Sequence, residues 1–211
     1  MWLQPSTCVS HTAVNNANIQ TQRGLAATGA GTVDCARHDM KRPTSVGDLQ
    51  RGEKYIYLSI LPVPLTDCWN LSRYINMDYM FFSSLEFCML FALIVSYDIV
   101  CQWYKNLWTR MSHYRESFNI DREKVSVKFL IPKFHLPAHI DKCHTSFSFN
   151  LTKGVARTDG EAPERGWSFI DPAAPSTKLM SPGQRRETLD DHWGGWNWKK
   201  VIGMGRVFSL H

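Results

Sequence analysis

The chain has little charge, no internal repeat and no paired cysteine motif. Charged residues make up 20% of its 211 positions, and 24 Lys and Arg against 19 Asp and Glu leave a net charge of +5. That mild basicity suits a phosphate-bearing partner without requiring one. Its six cysteines, Cys8, Cys35, Cys68, Cys88, Cys101 and Cys143, form no C-x-x-C. They read as reduced thiols rather than a disulfide framework. "MWLQPSTCVSHTAV" has neither the basic start nor the apolar run of a secretory signal, so nucleus or cytoplasm is expected. At 44% hydrophobic and 12% aromatic, disorder of the whole chain is excluded. One apolar window approaches membrane-spanning length, "YMFFSSLEFCMLFALIVSY" at 79–97. Glu86 in its middle and Asp98 beyond its end oppose insertion, since a central charge costs roughly 2.5–3.5 kcal/mol. A helix near 78–88 followed by a strand near 91–97 is expected instead, and no membrane.

What is present reads as mixed strands and helices, an α/β or α+β domain. Residues 1–50 form a polar N-terminal segment in which "TVDCARH" suggests a short strand with a turn and "RPTSVGDLQRGEKY" a loop. Residues 56–74 carry two close prolines and no sustained period. "LFALIVSYD" suits a central strand buried on both faces. Residues 99–118 place Ile99, Trp103, Leu107 and Met111 at helical spacing opposite a basic face. "VSVKFLI" reads as a strand stopped by Pro132, and "TSFSFNLT" alternates like another. "APERGWSFI" suits a short helix with Pro163 in its first turn. "SPGQRRETLDDHWGGWNWKK" starts with a Ser cap and reads helical as far as its glycines.

Four groups of residues bear chemistry. Asp98 stands at the end of an apolar strand, where open α/β sheets place ligands, or it caps the following helix. Asp159, Glu161, Glu164 and Arg165 form either a charged exposed turn or a source of carboxylates for a hard divalent cation. Cys35 and His38 in "CARH", with His135, His139 and Cys143 in "HLPAHIDKCH", have spacings acceptable to zinc or else belong to the core. Pro137 argues against a regular helix bearing both His135 and His139. In "HWGGWNWKKVIGMGR", Trp196, Trp198, Lys199 and Lys200 either stack on bases and neutralise phosphates or pack the domain edge.

Together, "SVGDLQRGEKY", "INMDYMFFSSL", "SYDIVCQWYKNLW", "FHLPAHIDKC", "FNLTKGVARTDGEAPERGW" and "TLDDHWGGWNWKK" resemble the Kyakuja-Dileera-Zisupton (KDZ) transposases abundant in mushroom-forming fungi. The resemblance implies a ribonuclease H-like DDE core over 51–211, holding two Mg2+ or Mn2+ ions with three acids and acting on DNA at transposon ends. It also admits a homo-oligomer. By similarity, Asp98 is the second acid and Glu164 the third, with Glu161 the alternative. Arg165 and Lys153 would contact phosphate. The "DGNF"-like motif of the first acid is not in this sequence, so an incomplete core with weak or absent nuclease activity is expected, or else a non-catalytic nucleic-acid-binding remnant or a non-functional transposon-derived fragment. Structural zinc is a further expectation. In the family "GEKY" runs almost directly into "INMDY"; here residues 56–74 intervene, as an insert of retained-intron type.

Overall fold

The computed structural model describes Cys8, Ala27, residues 29–49 and residues 65–208 apart from 156, with side chains except at 65–73 and 205–208. Most of the polar segment before residue 29, and residues 56–64 of the expected insert, lie outside the described residues.

β1 (Gly29–Cys35) and β2 (Met40–Leu49) pair antiparallel, with Cys35 opposite Met40. The turn expected in "TVDCARH" is present, and Asp39 closes it in the left-handed region at φ 52°, a conformation Asp tolerates better than most residues. "RPTSVGDL", expected as a loop, is instead the body of β2. The strand exists because β1 satisfies its backbone, a tertiary effect that weak local β propensity does not reveal. Long helix α1 (Leu65–Leu85) crosses this hairpin. Gly31 and Gly47 permit the approach: a Cβ on Gly31 would lie 2.5 Å from Met80 Cε, and one on Gly47 3.0 Å from Met80 Sδ. α1 begins at Leu65, inside the 56–74 stretch, well before the helix expected from the sequence.

The apolar window at 79–97 divides at its expected place. α1 ends at Leu85 and β3 (Ala92–Ser96) follows, pairing parallel with β4 (Ser126–Leu130). No helix among the described residues is long and apolar enough to cross a membrane. β3 is not buried on both faces as expected. Ala92 and Ile94 are exposed and Val95 is buried, so its sheet is covered on one side, where α1 and the segment after β3 pack. The fold is thus mixed α and β, with two two-stranded sheets among the described residues.

The single helix expected at 99–118 is broken into α2 (Val100–Trp103), a 3-10 turn (Tyr104–Asn106), α3 (Leu107–Met111) and a second 3-10 turn (Glu116–Phe118). A buried ion pair accompanies the break. Leu107 N–H bonds the Tyr104 carbonyl, and the Trp103 carbonyl accepts from Arg110 Nη2 at 2.9 Å. The same guanidinium pairs with Asp78 of α1, which also accepts from Trp103 Nε1 at 2.6 Å. Around this knot the main core gathers Phe81, Phe82, Val100, Trp103, Leu107 and Ile131. Trp103 meets Phe81, Tyr97 and Phe129 edge-on.

"TSFSFNLT" is no strand beyond one bridge between Ile131 and Ser148. α4 (Asp141–Ser146) occupies its start, and Ser148 turns the chain by accepting Asn150 N–H on its hydroxyl and the Thr152 hydroxyl on its carbonyl. α5 (Ala162–Ile170) carries Pro163 in its first turn, as expected. After a short α6 (Ala174–Thr177), α7 (Pro182–Phe208) continues through Gly194–Gly195. Two helical glycines cost about 1 kcal/mol each. Tertiary docking outweighs that: Trp193 is buried against α5, and the Asn197 side chain bonds both the N–H and the carbonyl of Lys41 in β2, at 2.8 and 3.0 Å.

Candidate functional site

The C-terminal ends of β3 and β4 carry the acidic site. Asp98 lies two residues beyond β3, and His135 follows the Pro132 that ends β4. Helix α2 has no side-chain cap, so Asp98 is not spent as its N-cap. Its side chain keeps 36% of its exposure. Gly160 brings the third segment in. It holds φ 81°, and a Cβ there would lie 2.8 Å from Phe149 Cε2 and closer still to Ser96 Oγ. With only hydrogen at that position, the turn presses onto the end of β3 and delivers α5.

As a result Asp98, His135 and Glu164 each offer a ligand atom within 4.8 Å of the others. Glu161 stands beside them with a different attachment: Oε1 accepts the Phe134 N–H at 2.8 Å and Oε2 lies 3.4 Å from His135 Nδ1. His135 Nδ1 is also 3.5 Å from Asp98. Glu164, in the first turn of α5 and exposed, is the carboxylate turned toward Asp98. Two carboxylates in reach of one point are a donor set that suits Mg2+ or Mn2+.

Arg165 does not face this point. It is bidentate to Asp39 of the hairpin turn, at 2.7 and 3.0 Å, and pairs with Asp159 at 2.8 Å. Burial alone would raise the Asp39 carboxyl, but Arg165 and Lys200 carry it below the ordinary carboxylate range. The Arg165 bond likewise lowers Asp159. Lys200 packs over Trp196, whose Nε1 donates to the Asp39 carbonyl, and Lys199 over Phe169. Trp198 remains 65% exposed. Lys153 gives its carbonyl to Lys128 Nζ. Carboxyls held low in the fold stabilise it above their unfolded value of about 4, and that stability is lost as pH falls through the lowered folded value. Arg165→Gln is therefore expected to lower the midpoint of urea unfolding at pH 7, with the difference shrinking below about pH 4; an unchanged gap at pH 3 would contradict it.

The histidines and cysteines sort into three places. Cys35 Sγ and His38 Nδ1 lie 3.2 Å apart and, among the described residues, belong to no group of three or more potential metal ligands. His135 joins the acids. His139 and Cys143 join two residues that spacing did not single out, Cys8 and Cys101, in a cluster whose four ligand atoms all lie within 4.8 Å and are all buried. A 3-10 turn at Leu136–Ala138 separates the two histidines. Cys8 Sγ lies 3.0 Å and Cys101 Sγ 3.6 Å from His139 Nδ1. Burial and the neighbouring Cys143 and Cys8 thiols push Cys101 up to about 12, and burial raises Cys143. This Cys/His set suits a metal such as zinc. Its members come from three segments: the spacing of His139 and Cys143 was legible in the sequence, whereas nothing local marked Cys8 or Cys101 as their partners.

The KDZ model, for Kyakuja-Dileera-Zisupton transposases, matches residues 3–64 and 63–197. The chain belongs to this family. No curated protein and no solved structure matches it. KDZ membership makes the chain transposase-derived and supports DNA as its partner. The two matched segments meet at 63–64, inside the 56–74 stretch that separates "GEKY" from "INMDY".

Proposed function

We propose that this KDZ chain carries Asp98 and Glu164 as the cation-holding acids of a DDE-type centre for DNA strand cleavage, on a ribonuclease H-like core. The observation that carries this reading is the convergence of Asp98 and Glu164 with His135 at the ends of parallel strands β3 and β4, where such sheets bind ligands. A bound Mg2+ or Mn2+ supplies positive charge to a reacting phosphate oxygen. The chain's own residues hold and orient. Glu161, fixed by the Phe134 N–H, stands against His135, and Gly160 sets the height of α5 and so of Glu164. This donor set, among the described residues, serves one ion rather than two, so cleavage by this chain is expected to be weak or absent.

Mn2+ titration followed by electron paramagnetic resonance tests the reading. About one ion per chain is expected to bind, weakened at least roughly tenfold by Asp98→Asn or Glu164→Gln and unchanged by Glu187→Gln, an exposed residue of α7. Binding indifferent to both acid-site variants would overturn the assignment. Plasmid nicking that is rapid and abolished by Glu164→Gln would keep the acids but refute the weakened activity. A second reading, nucleic-acid binding without cleavage, draws on exposed Trp198 beside Lys199 and Lys200. Steeply salt-dependent DNA binding that survives Asp98→Asn would favour it.

A further inference from the structure

We infer that Cys8, Cys101, His139 and Cys143 form a structural zinc site that fastens the N-terminal segment onto the backbone carrying the acidic site. Three thiols and an imidazole make up a Cys3His donor set, the number and type that closed zinc sites use. Zinc bonds of about 2.3 Å to sulfur and 2.0–2.1 Å to nitrogen in a tetrahedron set donor atoms roughly 3.5–3.8 Å apart. Cys101 Sγ and His139 Nδ1 stand at 3.6 Å, Cys8 Sγ and His139 Nδ1 at 3.0 Å, and every pair in the set falls within 4.8 Å. Small adjustments of side chains reach the tetrahedron. Each ligand is at most 6% exposed, and three of the four sit in or against the main apolar core. Such a place favours a closed centre over a catalytic one with an open position.

Placement on the chain gives the site its consequence. Cys101 lies on α2, three residues after Asp98, and His139 follows His135 by four. Cys143 sits on α4, its N–H bonded to the Ile140 carbonyl at 2.8 Å. One ion therefore clamps two of the three segments that reach the acidic site, those of Asp98 and His135, and it adds Cys8 from far outside them. The two centres differ in softness, thiolate against carboxylate, so zinc and magnesium would sort between them without competition. The influence on the acidic site rests on the function proposed above; the zinc assignment does not.

The test uses the full chain. Purified protein is expected to contain about one zinc, and Co2+ exchanged into it is expected to give thiolate-to-cobalt charge-transfer absorption with the intense d–d bands of a tetrahedral site. Because thiols deprotonate on binding, calorimetry of Zn2+ titration in buffers of different ionisation enthalpy should report about three protons released per ion near pH 7. Cys101→Ser and Cys143→Ser are each expected to lose about a third or more of the charge-transfer intensity, whereas Cys35→Ser and Asp98→Asn retain all of it. Chelation is expected to lower the melting temperature of the wild-type chain and to leave that of Cys101→Ser unmoved. Folded wild-type protein that shows no tetrahedral cobalt spectrum would overturn the site, whether or not the serine variants fold. So would loss of the band in Cys35→Ser with retention in Cys101→Ser. Mn2+ binding that fails while the cobalt spectrum stands would count against the acidic site alone.

Discussion

Asp78→Asn is expected to destabilise the fold by about 3–5 kcal/mol, which is the range for breaking a buried pair and leaving one charge behind. Asp78 is fully buried and Arg110 is 4% exposed. Burial raises the Asp78 carboxyl even against the bonds from Arg110 and Trp103, so the environment tolerates this charge only because the guanidinium is there. Asparagine keeps an oxygen for Trp103 Nε1 but removes the charge and puts an NH2 donor where the second carboxylate oxygen accepted from Arg110 Nε. Arg110 would then sit uncompensated between the Tyr74 and Trp103 rings, whose faces offset little of a desolvated cation. For a domain stable by about 5–15 kcal/mol, that loss is a large fraction of the whole. Urea unfolding monitored by tryptophan fluorescence measures it. A change below about 1 kcal/mol would mean that the pair is solvated and contributes little, as exposed pairs do.

Trp193→Ala is the second large effect, expected at about 3–5 kcal/mol for deletion of a buried aromatic. Trp193 is 3% exposed and packs with Ile170 and Leu189, with Trp167 edge-on against it and Lys41 Nζ 4.1 Å from its ring centroid. Lys41 is itself buried and paired with Asp34 at 2.8 Å, so the ring screens a buried ion pair as well as filling volume. Loss of the ring should free α7 from the hairpin. Hydrogen exchange at the Lys41 amide, which donates to Asn197, is expected to speed up with the fall in stability. Trp193→Phe should lose less than half as much, since Trp193 Nε1 has no hydrogen-bond partner among the described residues. If the Lys41 amide keeps its protection in Trp193→Ala, α7 is held by other contacts.

Some elements were legible because their determinants are local. Pro132 ends β4, Pro163 opens α5, and Ser181 precedes α7 with its hydroxyl toward the Gln184 N–H. Each acts through its own backbone within one turn, so spacing is sufficient evidence. The misreadings share another cause. β2 looked like a loop because Gly47, Pro43 and Asp48 are poor strand formers, yet β1 and α1 hold it. Residues 99–118 looked like one helix because their apolar period is sound, yet Arg110 turns back to the Trp103 carbonyl and Asp78. α7 looked as though it should stop at Gly194–Gly195, yet Trp193 and Asn197 dock it on either side.

By itself, the sequence determined the family, the α and β mixture and the division of the apolar window. Only the tertiary structure decided how the metal-binding residues are shared. His135 and His139 are four positions apart and fall in different side-chain clusters, because the 3-10 turn at Leu136–Ala138 sets one beside carboxylates and the other beside thiols. Cys8 and His139 are separated by 131 positions and lie 3.0 Å apart. A ligand set is a property of where segments cross, and local spacing carries no information about crossings that the packing of distant side chains creates.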